Sequence, residues 1–177
     1  MDVGSSAGHW LDQKIAEMTG ADKAADKADT KAKTITCATC EQNPCAKFAC
    51  GIKGKGKYRG GAHGCMTGTP ETKGDELDSH HMPAKSKSPL NPNVGPAIQM
   101  EKSDHALTAS YGGNVNGDSY APQTALLAEG QTMQAIYLDV LDVKAVAKAI
   151  GDPSKYDEAI AQMMVYARCL QANGIIR

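Results

Sequence analysis

Two adjacent histidines, His80 and His81, are the residues of this chain best suited to chemistry at neutral pH. Acidic residues precede them from Asp75 onward, and a second acidic–histidine pair, Asp104 and His105, follows a loop rich in Pro and Asn. Side chains alternate between the two faces of an extended segment, so the two rings can perform different tasks. A neutral imidazole binds metal ions well, and a histidine that titrates near neutrality can also accept a proton. The pattern predicts a hydrolytic site in which one ring holds a cation and the other activates water.

Hydrolysis of a phosphodiester bond requires an activated water, a cation at the scissile phosphate and a stabilised leaving oxygen. We predict that His81 is the general base. His80 and His105 are predicted to hold the cation, and Asp104 is a reserve ligand because hard cations prefer oxygen. No further histidine follows His105 at a zinc-motif spacing, so the cation should keep several waters, which favours Mg²⁺ or Mn²⁺ over a closed zinc site. Imidazole ligands also suit Zn²⁺ and Ni²⁺.

A run of alternating cations lies upstream of the histidines, and we call it the basic strip: Lys53, Lys55, Lys57 and Arg59. Glycines between them let the backbone approach a ligand while the cations neutralise phosphate, so the strip is predicted to bind substrate. Arg59 is the strongest candidate and is also assigned to the catalytic set, because a guanidinium can hold phosphate in a bidentate manner. His63 could orient the substrate, reach the metal or serve a structural role. The alternative for the strip is a flexible, solvated loop.

Five of the six cysteines fall between positions 37 and 65. Cys37, Cys40, Cys45 and Cys50 could form a four-thiolate zinc site, which would stabilise a segment poor in apolar residues. Only the spacing from Cys37 to Cys40 is usual for zinc, and we favour disulfides or free thiols without a metal. Cys169 lies among apolar residues of a predicted helix and is expected to be a thiol in the core.

The composition limits both the fold and the partners. The 177 residues carry a net charge of −1 and only 5% are aromatic, so the core must consist mainly of aliphatic side chains and methionine. A near-neutral charge counts against a general nucleic-acid binder, although a local basic strip is enough for phosphate contacts. No apolar run is long enough to span a bilayer, and the N-terminus lacks the pattern of a secretory signal, so no membrane partner is expected.

The chain divides into a predicted tail and one predicted domain. Residues 1–36 are predicted to be a linker or N-terminal tail, because Ala21–Lys33 offers almost nothing to bury. Residues 37–177 are predicted to form an α+β domain. Its small core, at about 75–112, has the pattern of a strand, a loop, a second strand and the start of a helix.

The last third of the chain, residues 122–175, is predicted to be a helical scaffold. Apolar residues recur at helical spacing from Ala125 to Val143 and again from Tyr156 to Asn173. Pro153 is a candidate to open the second helix, and Gly174 is a candidate to end it. Loops held by such a scaffold are where catalytic residues are expected.

Four separated pieces of sequence resemble, in the right order, one known family. They are YRGGAHG at 58–64, DSHHMPA at 78–84, GPAIQM at 95–100 and DHALTASYG at 104–112. Together they are similar to the HNH/endonuclease VII superfamily of bacterial toxin nucleases that carry a GHH- or SHH-type signature. Ser79 stands where a GHH motif has glycine.

The resemblance implies a ββα-metal core and a metal-dependent DNase. His81 would be the general base, His80 would lie beside or on the metal, and His105 would complete the metal site from the helix. It further implies a polymorphic toxin of interbacterial competition, at the end of a larger secreted chain and often delivered by a type VI secretion system. Such a toxin acts in the cytoplasm of the target cell and has a cognate immunity protein. We expect that protein to be acidic and to contact residues 53–63 or the loop Ser86–Asn93.

Two other functions fit the same sequence. An RNase of similar fold would attack the same kind of bond, and nothing in the motifs reads the sugar. A non-catalytic binding module, stabilised by metal ligation through Cys and His, would hold zinc tightly and show no activity. The adjacent histidines ahead of a Pro-rich loop and an acidic–histidine pair favour the enzyme.

Overall fold

A small antiparallel sheet is combined with helices in the computed structural model, which describes residues 35–52 and 55–177. The strands are β1 (Gly60–Ala62), β2 (Leu77–His81) and β3 (Pro96–Glu101), in the spatial order β1–β3–β2. The predicted α+β class is confirmed. The predicted tail lies outside the described residues except at its end, where Ile35 is buried in the core.

Six α-helices accompany the sheet in the described part of the chain. They are α1 (Ala46–Ala49), α2 (His63–Met66), α3 (Lys102–His105), α4 (Ala121–Ala128), α5 (Thr132–Ala149) and α6 (Asp157–Ala172). Two short 3₁₀ helices, Gly112–Asn116 and Asp118–Tyr120, precede α4. None of the helices in these ranges is long and apolar enough to cross a membrane.

The helical scaffold has the predicted apolar spacing, but its helix ends differ from the prediction. Gly130, with a φ of 73°, separates α4 from α5, so the spacing from Ala125 to Val143 belongs to two helices. Pro153 lies in a turn, and α6 begins only at Asp157. Gly174 has a φ of 68° just after α6, where its lack of a Cβ makes the left-handed conformation accessible.

β1 contains two glycines because neighbouring backbones approach it closely. A Cβ on Gly60 would overlap the carbonyl oxygen of Ala159 in α6, and a Cβ on Gly61 would overlap that of Ala49 in α1. Helix α6 therefore lies directly against the sheet. The core between them is built mainly from the aliphatic and methionine side chains that the composition predicted, among them Ile98, Met100, Ile136, Val140, Ile160, Met163, Met164 and Leu170.

The strand, loop, strand and helix order predicted around the histidines is present as β2, a loop, β3 and α3. Strands β2 and β3 pair antiparallel, with His80 opposite Ile98 and His81 opposite Ala97. The pair thus occupies the last two positions of β2, where the chain enters the loop through a cis peptide bond between Met82 and Pro83. This pairing fixes the backbone that carries both imidazoles.

Two disulfides, Cys45–Cys169 and Cys50–Cys65, join distant parts of the chain. The alternative zinc site is not formed, because two of its four cysteines are bound to partners outside that set. Cys37 and Cys40 are in no disulfide within the described residues. The prediction that Cys169 is a core thiol is wrong, since α6 brings it to a cysteine 124 positions away in sequence.

Candidate active site

The two histidines at the end of β2 lie at a pocket with a volume of about 480 Å³, which we call the histidine pocket. Its walls come from β2, the loop after it, α3 and the segment that follows α3. The lining residues are Ser79, His80, His81, Ala84, Lys85, Ser86, Pro92, His105, Ser110, Tyr111, Gly112 and Val115. A concave site with several converging polar groups is the usual setting for ligand binding and catalysis.

The alternation of side chains along β2 gives the two histidines different surroundings. Asp78 and His80, two positions apart, both contact His105. Ser79 and His81, the intervening pair, both contact His63. This arrangement agrees with the expectation that strand geometry gives two neighbouring imidazoles different surroundings.

His80 is buried, with 1% of its surface exposed, and its ring centroid lies 4.9 Å from that of His105. Its Nε2 has no hydrogen-bond partner in the described structure. The Nδ1 of His105 lies 2.9 Å from Oδ2 of Asp78. Because a carboxylate oxygen accepts, that Nδ1 donates, which leaves the Nε2 lone pair of His105 available to a cation.

His81 is also buried, and its ring stacks on that of His63 with 4.1 Å between centroids. Neither ring nitrogen of His81 has a hydrogen-bond partner among the described residues. His63 is itself held, because its Nδ1 lies 2.8 Å from Oγ of Ser79. Gly95 lies against the ring of His81, and a Cβ on Gly95 would be 3.0 Å from Nδ1 of His81. The imidazole is therefore confined by a stacked ring and a close backbone, while its nitrogens remain unused.

Burial keeps both rings of the pair neutral. It is the main reason that the pKa of His80 is lowered to about 3, with smaller effects from His105 and His81. The pKa of His81 is also lowered to about 3, by burial first and then by His63, Lys85 and His105. Burial and the charge of Lys85 lower the pKa of His63 as well. Neutral imidazoles are the form that binds metal or accepts a proton.

Asp104, the predicted reserve ligand, is engaged elsewhere. Its Oδ2 accepts hydrogen bonds from Nζ of Lys155, at 2.7 Å, and from the hydroxyl of Tyr156. Although burial opposes it, these contacts hold the pKa of the Asp104 carboxyl below its usual value. The carboxylate that contacts His105 is instead that of Asp78.

The described members of the basic strip do not line the histidine pocket. Nζ of Lys55 lies 3.8 Å from Oε2 of Glu158, and Nζ of Lys57 lies 2.6 Å from Oε1 of Glu101. Arg59 donates from Nη1 to the carbonyl oxygen of Cys50 at 3.4 Å. Lys53 falls outside the described residues. The strip is therefore partly neutralised by its own carboxylate partners, away from the histidines.

Sequence reasoning assigned no role to Asp78, Ser79, Lys85 or Tyr111, which the structure places beside the histidines. Tyr111 packs edge-on against His105, with 5.0 Å between ring centroids. The strand alternation could have identified Asp78 and Ser79, because each lies two positions before a histidine on the same strand. The position of Lys85 depends on the path of a loop, for which the sequence carries no comparable signal.

No group of three or more histidine, cysteine, aspartate or glutamate side chains in ranges 35–52 and 55–177 is arranged to hold a metal ion. His80 and His105 offer two imidazoles, one with an unpartnered buried nitrogen and one oriented by a carboxylate. That donor set fits a cation that keeps most of its waters better than a closed zinc site.

No protein-family model, no curated protein and no solved structure matches this chain. The pocket and its residues are therefore the evidence for function.

Proposed function

We propose that this protein is a metal-dependent DNA endonuclease of the HNH type, in which β2, β3 and α3 form the ββα-metal core. One observation carries the proposal. Buried imidazole nitrogens of His80 and His81 have no partner in the described structure, yet they meet at a pocket that a third, carboxylate-held imidazole also lines. Burying an unpaired polar group is costly, so such atoms indicate a ligand or a chemical task.

His80 and His105 would hold the cation, with Mg²⁺ or Mn²⁺ favoured and Zn²⁺ or Ni²⁺ compatible with imidazole. When bound, a divalent cation would neutralise the scissile phosphate and stabilise the leaving oxygen. Asp78 is a positioning residue, because its contact with Nδ1 sets the tautomer and orientation of His105. Hydrogen bonds of this kind are a regular feature of histidines that bind metals.

His81 would accept the proton of the attacking water. Its ring is neutral and confined between His63 and Gly95, and both its nitrogens are free of partners among the described residues. An entering phosphate is anionic and would favour the protonated imidazole, which raises the proton affinity of His81 when substrate is present. His63 and Ser79 hold the ring in place through the stack and the hydrogen bond between them.

The biological setting that we infer is that of a toxin nuclease in interbacterial competition, secreted as part of a larger chain and active in the cytoplasm of the target cell. A producer cell would need a cognate immunity protein that covers the histidine pocket. The loop Ser86–Asn93 contributes to the wall of that pocket, so the predicted contact there would block substrate entry.

The experiment is incubation of the purified chain with supercoiled plasmid DNA and with RNA, each with Mg²⁺ or Mn²⁺ and with EDTA. We expect EDTA-sensitive nicking of DNA by the wild type. Lys148→Ala, at an exposed position of α5, is the control and should cleave as the wild type does. His80→Ala should lose activity that excess metal partly restores. Cleavage of RNA but not of DNA would show that the protein is an RNase rather than a DNase. Tightly held zinc with no cleavage would indicate the binding module.

A further inference from the structure

Lys85 is the one lysine or arginine among the residues that line the histidine pocket. Its side chain is exposed, and in the described part of the chain its ammonium group has no ion pair or hydrogen bond. Lys55 and Lys57 of the basic strip, by contrast, each have a carboxylate partner. A cation that lines a concave pocket and has no carboxylate partner can neutralise an incoming anion.

The turn that carries Lys85 is fixed by buried groups. The backbone N–H of Ala84 donates to the hydroxyl of Tyr120 at 2.8 Å, and that hydroxyl donates to Oδ2 of Asp139 at 3.0 Å. The N–H of Lys87 donates to the carbonyl oxygen of Ala84 at 2.9 Å. Both Tyr120 and Asp139 are buried. Because the turn is already ordered, less entropy is lost when a ligand binds to it.

A second pocket, of about 380 Å³, adjoins the histidine pocket through Val115, which lines both. Lys87 lines this second pocket, so the two lysines of one turn line two neighbouring pockets, Lys85 the first and Lys87 the second. Asp118 lines the second pocket too and reduces its positive charge. The histidine pocket should therefore attract an anion more strongly than its neighbour does.

We propose that the turn Ala84–Lys87 binds the phosphate backbone of a DNA strand, with Lys85 on the phosphate in the histidine pocket and Lys87 on a neighbouring phosphate. This inference rests on the proposed function and assigns the substrate contact to this turn rather than to the basic strip. Val115 and Tyr111 also line the histidine pocket and give it apolar and aromatic wall, on which a sugar or base can pack.

The test is binding of a fluorescein-labelled DNA oligonucleotide, measured by anisotropy in EDTA over a series of salt concentrations. Lys85→Gln should weaken binding about tenfold at 0.1 M salt and reduce the slope of log K against log salt by about one, because one phosphate contact is lost. Lys87→Gln should give a smaller loss. Lys148→Gln, which removes an exposed lysine of α5, is the matched control and should bind as the wild type does.

The proposal is overturned if Lys85→Gln binds DNA with the wild-type affinity and salt slope. It is also overturned if Lys57→Gln causes the larger loss, which would return the contact to the basic strip. Because DNA binding is measured without turnover, failure of this inference can be told apart from failure of the proposed function. Binding that depends on Lys85, without metal-dependent cleavage, would contradict the nuclease but not the phosphate contact. Circular dichroism and urea unfolding of each variant confirm that the fold is intact.

Discussion

Gly95→Ala is the smallest change that should disturb the candidate general base. A Cβ at this position would lie 3.0 Å from Nδ1 and 3.4 Å from Cε1 of His81. The first distance is shorter than an ordinary van der Waals contact, so the imidazole must retreat by a few tenths of an ångström. The stacked ring of His63 limits that movement. The φ of Gly95 is not in the left-handed region, so alanine brings no backbone strain.

A displacement of about 1 Å at a reacting group can cost about 10²-fold in rate, so half that displacement predicts a loss of about tenfold. Stability should fall by only about 1 kcal/mol, because a side chain rather than backbone yields to the added methyl group. The matched control is Gly113→Ala, whose Cβ would have no neighbour within 4 Å among the described residues.

Single-turnover nicking of plasmid DNA measures the rate, and urea unfolding measures the stability of both variants. If the Gly95→Ala variant is folded and its nicking rate is within about twofold of the wild-type rate, the reasoning is refuted. An equal loss in Gly113→Ala would refute it too.

Three further predictions concern Asp78, Asp139 and the two disulfides. Asp78→Asn should raise the metal concentration needed for half-maximal activity by about 10- to 100-fold, because His105 loses its orienting carboxylate; a Mn²⁺ titration measures this. Burial raises the pKa of Asp139 to about 8 from its usual 3.8, so the folded state holds a proton that the unfolded state releases. The free energy of unfolding should therefore fall as pH rises from about 4 to 8, by up to about 5 kcal/mol, and Asp139→Asn should remove most of that slope in urea titrations. Replacing Cys45 and Cys169 together by alanine should cost about 5 kcal/mol and replacing Cys50 and Cys65 about 3 kcal/mol, because the first pair closes the longer loop; unchanged urea midpoints would contradict the pairing.

The features that the sequence predicted well are local ones. The alternation in β2 follows from strand geometry, and the apolar spacing of α5 and α6 follows from the helical repeat. The same alternation gives His80 and His81 different neighbours, as two adjacent residues of one strand predict.

The features that the sequence predicted poorly depend on contacts between distant positions. The basic strip looked available for phosphate, but Lys55 and Lys57 meet Glu158 and Glu101 in the fold. Asp104 is adjacent to His105 in sequence, yet the short helix α3 turns its carboxylate toward Lys155. In each case the partner lies dozens of positions away, and no local pattern encodes the pairing.

The most direct test of the central claim compares His81→Ala with the wild type in two measurements on the same preparations. Metal binding, followed by titration calorimetry with Mn²⁺, should be retained, because His80 and His105 are untouched. The single-turnover rate of DNA cleavage at saturating Mn²⁺ should fall by about 10²- to 10⁴-fold, the usual cost of removing a general base. A cleavage rate within a few-fold of the wild type, with metal still bound, would contradict the account.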